Sequence, residues 1–195
     1  MYKVGITGSI GTGKTTIANI FALFKIPIFN ADHEIKKILN NEKIKRSIKK
    51  IWPLSVKNSS VDKQKLKSII FSNKNEKKKL EKLLYPVLNE RKIRFEKKNS
   101  NKNILVYDIP LIYETKTSNL YDLILLTTCN LELQRKRVLN RDKISNALFE
   151  KIIKSQLSFD EKIKYKPRLI NTNYPKLITL IKIVLLIIIL TLRLK

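Results

Sequence analysis

Two periodicities alternate along the chain. Short, almost wholly apolar runs occur at residues 2–7, 27–29, 103–107, 123–127 and 168–170. Runs of that length, bounded by turn residues, predict strands buried on both faces of a parallel sheet. Between them apolar residues recur every three or four positions, as one side of a helix does. Ile17, Ile20, Phe21 and Phe24 make such a side over 14–24, and Ile35, Ile38, Leu39, Ile44 and Ile48 make another over 32–50. The polar break over 52–60 precedes helices predicted over 62–71 and 75–98. Pro86 starts or kinks part of the second, which Leu80, Leu83, Leu84, Val87 and Leu88 line on one side. Helices over 131–141 and from Ser145 or Asn146 to 157 complete the pattern.

Strands alternating with helices predict an α/β fold with a mainly parallel five-stranded sheet. The first strand leads into Gly8-Ser9-Ile10-Gly11-Thr12-Gly13-Lys14-Thr15, which fits the phosphate-loop pattern G-x-x-x-x-G-K-[ST]. The chain has four glycines, Gly5, Gly8, Gly11 and Gly13, all in this one stretch. Glycine serves where the backbone takes positive φ or presses against a ligand. A strand, a glycine loop and a helix start in that order direct N–H groups and the helix N-terminus at an anion. The architecture expected is therefore the three-layer α/β/α phosphate-loop NTPase fold, binding a nucleoside triphosphate. Gly11, Thr12, Gly13, Lys14, Thr15 and Thr16 are the candidate ATP-binding residues. Lys14 would reach the β- and γ-phosphates and the Thr15 hydroxyl would ligand Mg²⁺.

Composition alters this little. The length of 195 residues suits one α/β domain with a small insertion, and 43% hydrophobic residues suit a globular core. The net charge of +25 raises the question of nucleic acid. Only eight of the 41 basic residues are arginine, and the lysines spread over nearly every predicted helix. With isoleucine and asparagine also abundant, this is the mix of an A- and T-rich coding sequence. Solvated lysine faces are expected, and no nucleic-acid partner. The loop begins within a few residues of Met1, and Cys129 has no cysteine to pair with. Both point to the cytoplasm.

Further acidic and basic residues fall at places that matter. Asp32 follows the second strand, where it either caps the next helix or serves chemistry. Asp108 ends the third strand, a position that supports Mg²⁺ in phosphate-loop enzymes or caps a turn. Arg135, Arg137 and Arg141 share one helix, with Arg137 and Arg141 on one face. A helix, a short loop over 142–146 and a helix form an arginine-bearing lid, about 141–147, whose guanidiniums can meet phosphate oxygens. Arg141 is assigned to that lid, and Arg137 is a further candidate ATP-binding residue. Arg135 is assigned to surface ion pairs with Glu132, Asp142 and neighbours. His33 is the only histidine and carries no metal role.

Taken together, these residues resemble the bacterial dephospho-CoA kinase family. Residues 5–16 are similar to its opening G-L-T-G-G-I-G-S-G-K-S/T-T, and Asn30-Ala31-Asp32 to its D-A-D. Ile70-Phe71 matches I-F, Leu83-Leu84-Tyr85-Pro86 matches L-x-H-P, and Pro110-Leu111-Ile112-Tyr113-Glu114 matches P-L-L-F/Y-E. Gln134, Arg137 and Arg141 lie on Q-x-x-R-x-x-x-R, Gln156 and Glu161-Lys162 on the later Q and E-K, and Ile170-Asn171 on I-x-N. The resemblance spans residues 1 to about 173. It implies transfer of the γ-phosphate of ATP to the ribose 3′-hydroxyl of dephospho-CoA, the last step of coenzyme A synthesis. It implies Asp32 as general base, Lys14 and Mg²⁺ as charge stabilisers, and Arg141 closing over the phosphate. The other readings are a different small phosphate-loop kinase and a non-catalytic nucleic-acid-binding protein with a relic loop.

The resemblance divides the chain into a core over about 1–51, 100–140 and 148–175, a CoA-binding helical insertion over about 52–99, and the lid. The sequence departs from the family at Asn30, at Tyr85, at Lys63 where arginine is usual, and at Lys166-Pro167. The last stretch, 175–195, departs most, being apolar almost throughout. A helix buried against the core or paired with a second copy is expected there, ahead of membrane contact. The uninterrupted run of ten residues over 183–192 is short of the roughly 20 needed to span a bilayer. ATP and dephospho-CoA are the expected partners, in a monomer or weak homo-oligomer.

Overall fold

β1 (Tyr2–Thr7) passes through the glycine loop into α1 (Lys14–Leu23), then β2 (Ile28–Asn30), in a computed structural model that describes residues 1–57 and 60–194. α2 (Ala31–Leu39) and α3 (Glu42–Ile51) follow, then a short 3₁₀ turn and the two-residue strands β3 (Val56–Lys57) and β4 (Ser60–Val61). Next come α4 (Lys63–Ser72), α5 (Lys74–Lys98), β5 (Ile104–Asp108) and β6 (Leu123–Thr128). α6 (Leu131–Asp142), α7 (Asn146–Lys154), α8 (Phe159–Ile163), β7 (Arg168–Asn171) and α9 (Lys176–Arg193) complete the chain. Within the expected break over 52–60, residues 58 and 59 lie outside the described residues, as do Lys195 of the tail and the Phe71 side chain of the I-F match.

The chain divides into two units, Met1–Phe29 with Asn99–Lys195, and Asn30–Lys98. The first holds a five-stranded sheet in the order β2-β5-β1-β6-β7. β1 pairs in parallel with β5 and with β6, and β6 in parallel with β7. Central position explains why β1 and β5 show no polar side: Val4, Ile6, Leu105, Val106 and Tyr107 are all fully buried. On one face Ile17, Ile20 and Phe21 of α1 meet Ile183, Leu186 and Ile187 of α9 over Val4, Ile6 and Val106. Gly5 lies within β1 and serves packing. A Cβ there would come within 2.8 Å of Ile112 and 3.0 Å of Tyr121.

The second unit has its own apolar cluster, in which Ile38, Ile44, Ile48 and Trp52 meet Leu66, Leu80 and Leu84. Two polar ties reinforce it. The Trp52 indole donates to Glu76 at 2.7 Å, and Arg91 of α5 pairs with Glu34 of α2 at 2.8 Å.

Several expectations are corrected. The single helix expected over 32–50 is two, because the Asn41 side chain accepts from Lys43 N–H and starts a new helix there. Asn30 caps α2, accepting from the His33 N–H at 2.8 Å, so Asp32 is not the cap. Phe24 is 44% exposed, since α1 ends at Leu23 and the chain turns at Lys25 with φ of 55°. Helix continues through Pro86. α7 stops at Lys154 instead of 157, and α8, unforeseen, starts on a capping box of Ser158 with Glu161.

Candidate active site

Between β1 and α1 the backbone takes positive φ at Gly8, Gly11 and Gly13, at 145°, 78° and 94°. At Gly8 no side chain fits, because a Cβ would lie 2.7 Å from the Thr127 carbonyl oxygen. The loop is thereby pressed onto the end of β6. Gly13 caps α1 without a side-chain acceptor for the first-turn N–H groups. A helix start of this kind favours a phosphate, through its N–H groups and the helix dipole. The Lys14 ammonium donates to the Gly8 and Ser9 carbonyls at 2.8 and 2.9 Å, which keeps it against the loop. Thr15 is exposed at the start of α1 and Thr16 is half-buried.

Threonines hold the loop's underside. The Thr12 hydroxyl lies 2.6 Å from that of Thr127, which is 3.2 Å from the Thr7 carbonyl. Thr172, just after β7, lies 3.0 Å from the Thr12 carbonyl. The Gln134 amide donates to the Ile10 carbonyl at 2.6 Å, tying the loop to α6. Thr12, Thr127, Thr172 and Gln134 are all buried, so each side chain needs its partner.

Asp108 is 4% exposed and ends β5 in register with Ile6 of the neighbouring β1. The chain beyond it is fixed to β1 by Ile109 N–H to the Ile6 carbonyl at 3.0 Å and the Thr7 hydroxyl to the Pro110 carbonyl at 2.8 Å. This is the carboxyl end of a parallel sheet, where ligands gather in open α/β folds. Asp108 and Thr15 offer hard oxygen donors, and the set fits Mg²⁺ better than a softer ion. Among the described residues no three His, Cys, Asp or Glu side chains come together. A Mg²⁺ ion held by a hydroxyl, a carboxylate and substrate phosphates needs no such cluster.

The three arginines of α6 have separate engagements. Arg137 donates to the Thr172 hydroxyl at 3.0 Å and its carbonyl at 2.8 Å. Arg141 forks onto its neighbour Asp142 at 2.7 and 2.8 Å, and that hydrogen-bonded pair raises the guanidinium pKa further. Arg135 reaches Asn146 and Glu150 and lies over the Phe149 ring. Its ion pair is on the surface, as expected, but with Glu150. The face expected to be shared by Arg137 and Arg141 therefore meets different partners.

Asp32 is exposed in the first turn of α2, in the second unit. Lys63 opens α4 there, and Tyr85 lies in α5, its hydroxyl pushed up to about 12 by burial and by the Glu81 carboxylate.

Sequence reasoning missed Thr127 and Thr172. Their signal is a threonine at or just past the carboxyl end of an apolar strand. It also gave Lys162 no role beyond its place in a motif. Lys162 is 1% exposed and pairs with Glu114 at 3.0 Å, while Glu114 also accepts from the Leu157 N–H at 3.0 Å.

Comparison with known proteins agrees with this arrangement. The dephospho-CoA kinase family model matches residues 2–175. The dephospho-CoA kinase of Fusobacterium nucleatum subsp. nucleatum is 35% identical over 173 residues, covering 87% of this chain and 89% of that one. The structure of the dephospho-CoA kinase from Campylobacter jejuni superposes with a TM-score of 0.69 at 25% identity, covering 95% of this chain and 94% of that one. TT1252 from Thermus thermophilus shares the fold, with a TM-score of 0.85 at 24% identity and 96% of each chain covered. A match of this extent, on a chain with this loop and sheet, means that the protein belongs to the dephospho-CoA kinase family.

Proposed function

We propose that this protein transfers the γ-phosphate of ATP to the ribose 3′-hydroxyl of dephospho-CoA, giving coenzyme A and ADP. Family membership across residues 2–175 carries the reading, and the buttressed glycine loop supports its ATP half. The loop amides from Gly11 to Thr16 receive the phosphates, and Lys14 offsets their charge. Thr15 and Asp108 hold Mg²⁺, which when bound further neutralises the phosphate oxygens. Arg137 supports ATP binding from beside the loop. Arg141, at the start of the lid over 141–147, exchanges Asp142 for a phosphate oxygen. Asp32 accepts or orients the proton of the acceptor hydroxyl. The helical block over 52–99 takes the rest of dephospho-CoA, with Lys63 giving charge without the planar fork of arginine. The protein works in the cytoplasm as a monomer or weak homo-oligomer.

The test is ADP release from ATP and Mg²⁺, with and without dephospho-CoA, for the native chain and Asp32→Asn. Release that requires dephospho-CoA, and that falls by at least ~100-fold in a variant still binding ATP, is expected. Release indifferent to dephospho-CoA would overturn the acceptor. A fully active Asp32→Asn would remove the base.

A further inference from the structure

α9 is apolar on both sides, and only one side is used. Thr179, Ile183, Leu186, Ile187 and Leu190 are buried in the first unit's core. On the opposite side Ile178, Ile181, Leu185, Ile188, Ile189 and Leu192 are each 38% exposed or more. At 3.6 residues per turn these side chains form one continuous outward strip along a helix of about 27 Å. α9 begins at Lys176, where the family match ends. Isolated exposed apolar residues are ordinary, but a strip along a whole helix marks an interaction surface.

Charge decides what covers it. No acidic residue follows Glu161, and the chain as a whole carries +25. Two copies joined through α9 would bring like charges together, with no carboxylate on either helix to answer them. An anionic surface has the opposite sign. Lys182 and Arg193 fall along one border of the outward strip at helical spacing. From there a long side chain can keep its stem in apolar surroundings and its cation at headgroup level. Lys182 stands over the ring of Tyr174, itself 51% exposed, adding an amphipathic aromatic at the same border. No helix among the described residues is long and apolar enough to cross a membrane. α9 is further held by its buried side, so contact is parallel to the surface.

We propose that the outward face of α9 is a docking surface for anionic phospholipid bilayers, on which the protein lies peripherally. The full chain is mixed with phosphatidylglycerol-containing vesicles, or with pure phosphatidylcholine vesicles, and floated through a density gradient. Co-flotation with the anionic vesicles alone is expected. Leu185→Gln/Ile188→Gln leaves the net charge unchanged and should reduce binding by about tenfold or more, since interfacial affinity scales with buried apolar area. If that variant folds poorly, Ile178→Gln/Leu192→Gln near the helix ends gives the same reading. Failure of the native chain to float with anionic vesicles overturns the proposal. So does undiminished binding by folded variants, which would mean charge alone. Sedimentation velocity on the same samples covers the remaining case. A native dimer that the variants render monomeric, without vesicle binding, assigns the face to a second copy.

Discussion

Arg137 grips Thr172 twice, at the hydroxyl and at the carbonyl, and Thr172 in turn lies 3.0 Å from the Thr12 carbonyl of the phosphate loop. An arginine of the sixth helix is thereby connected to the glycine loop through one buried threonine. Thr172→Val keeps the shape and removes the hydroxyl, leaving an Arg137 donor and the Thr12 carbonyl each short of a partner. Leaving buried polar groups unpaired costs about 1–3 kcal/mol. The variant should melt several degrees lower and bind ATP more weakly, readable by thermal denaturation and nucleotide titration. Unchanged ATP affinity would confine Thr172 to the fold.

The turns of this chain explain which features its sequence discloses. The described residues other than glycine that adopt positive φ are Lys25, Lys116, Lys143 and Lys166, where glycine or asparagine is usual. Lysine here is so common that it punctuates nothing, so the end of α1 at Leu23 had no readable sign. Lys25→Gly removes the left-handed penalty of about 1–2 kcal/mol, less what the more flexible unfolded chain regains. A net gain of about 0.5–1 kcal/mol is expected, seen as a raised midpoint in urea without a change in slope.

The sheet and the loop were legible because both follow local rules. A strand buried on both faces must be apolar throughout, and the loop must lack a Cβ at Gly8, where one would lie 2.7 Å from the Thr127 carbonyl oxygen. The break between α2 and α3 does leave a trace in the spacing: Leu39 to Ile44 is a step of five, which on one continuous helix would turn Ile44 and Ile48 to the side opposite Ile35. Asn41 sets the new start there by capping α3, a local hydrogen bond that agrees with the shift in spacing. The loop's supports were hidden. Thr127 and Thr172 acquire their roles from residues more than a hundred positions away, Thr7 and Thr12. Those contacts exist only once the strands are in register.

Glu34 gives the second unit a measurable acid dependence. Burial alone would raise its pKa, but hydrogen bonds and charge from Lys37 and Arg91 prevail and hold it below the ordinary carboxylate value. A folded pKa below the unfolded one gives stability that is fully present above the unfolded pKa. That contribution is lost as pH falls through the folded value, so the loss belongs below about pH 4.5. Glu34→Gln should lower stability at pH 7 and flatten its fall in that acid range. Equal acid slopes in the two proteins, measured by urea denaturation at stepped pH, would show that the α2–α5 tie contributes nothing.

Glu114 and Lys162 pose the opposite balance, a charge pair withdrawn from water. The Lys162 side chain is 2% exposed and the Glu114 side chain 16%, with 3.0 Å between them, and the second Glu114 oxygen has no protein hydrogen-bond partner. Removing water from two ions costs several kcal/mol, which their attraction repays only in good geometry. The pair therefore need not add net stability, yet splitting it leaves one buried charge uncompensated. Lys162→Met alone should cost roughly 3–5 kcal/mol. Glu114→Gln combined with Lys162→Met should recover much of that loss, because no lone charge remains. The double-mutant cycle by urea denaturation reads the difference. A double variant as unstable as the sum of its parts would mean that the two side chains act separately, with Glu114 valued for its bond to the Leu157 N–H.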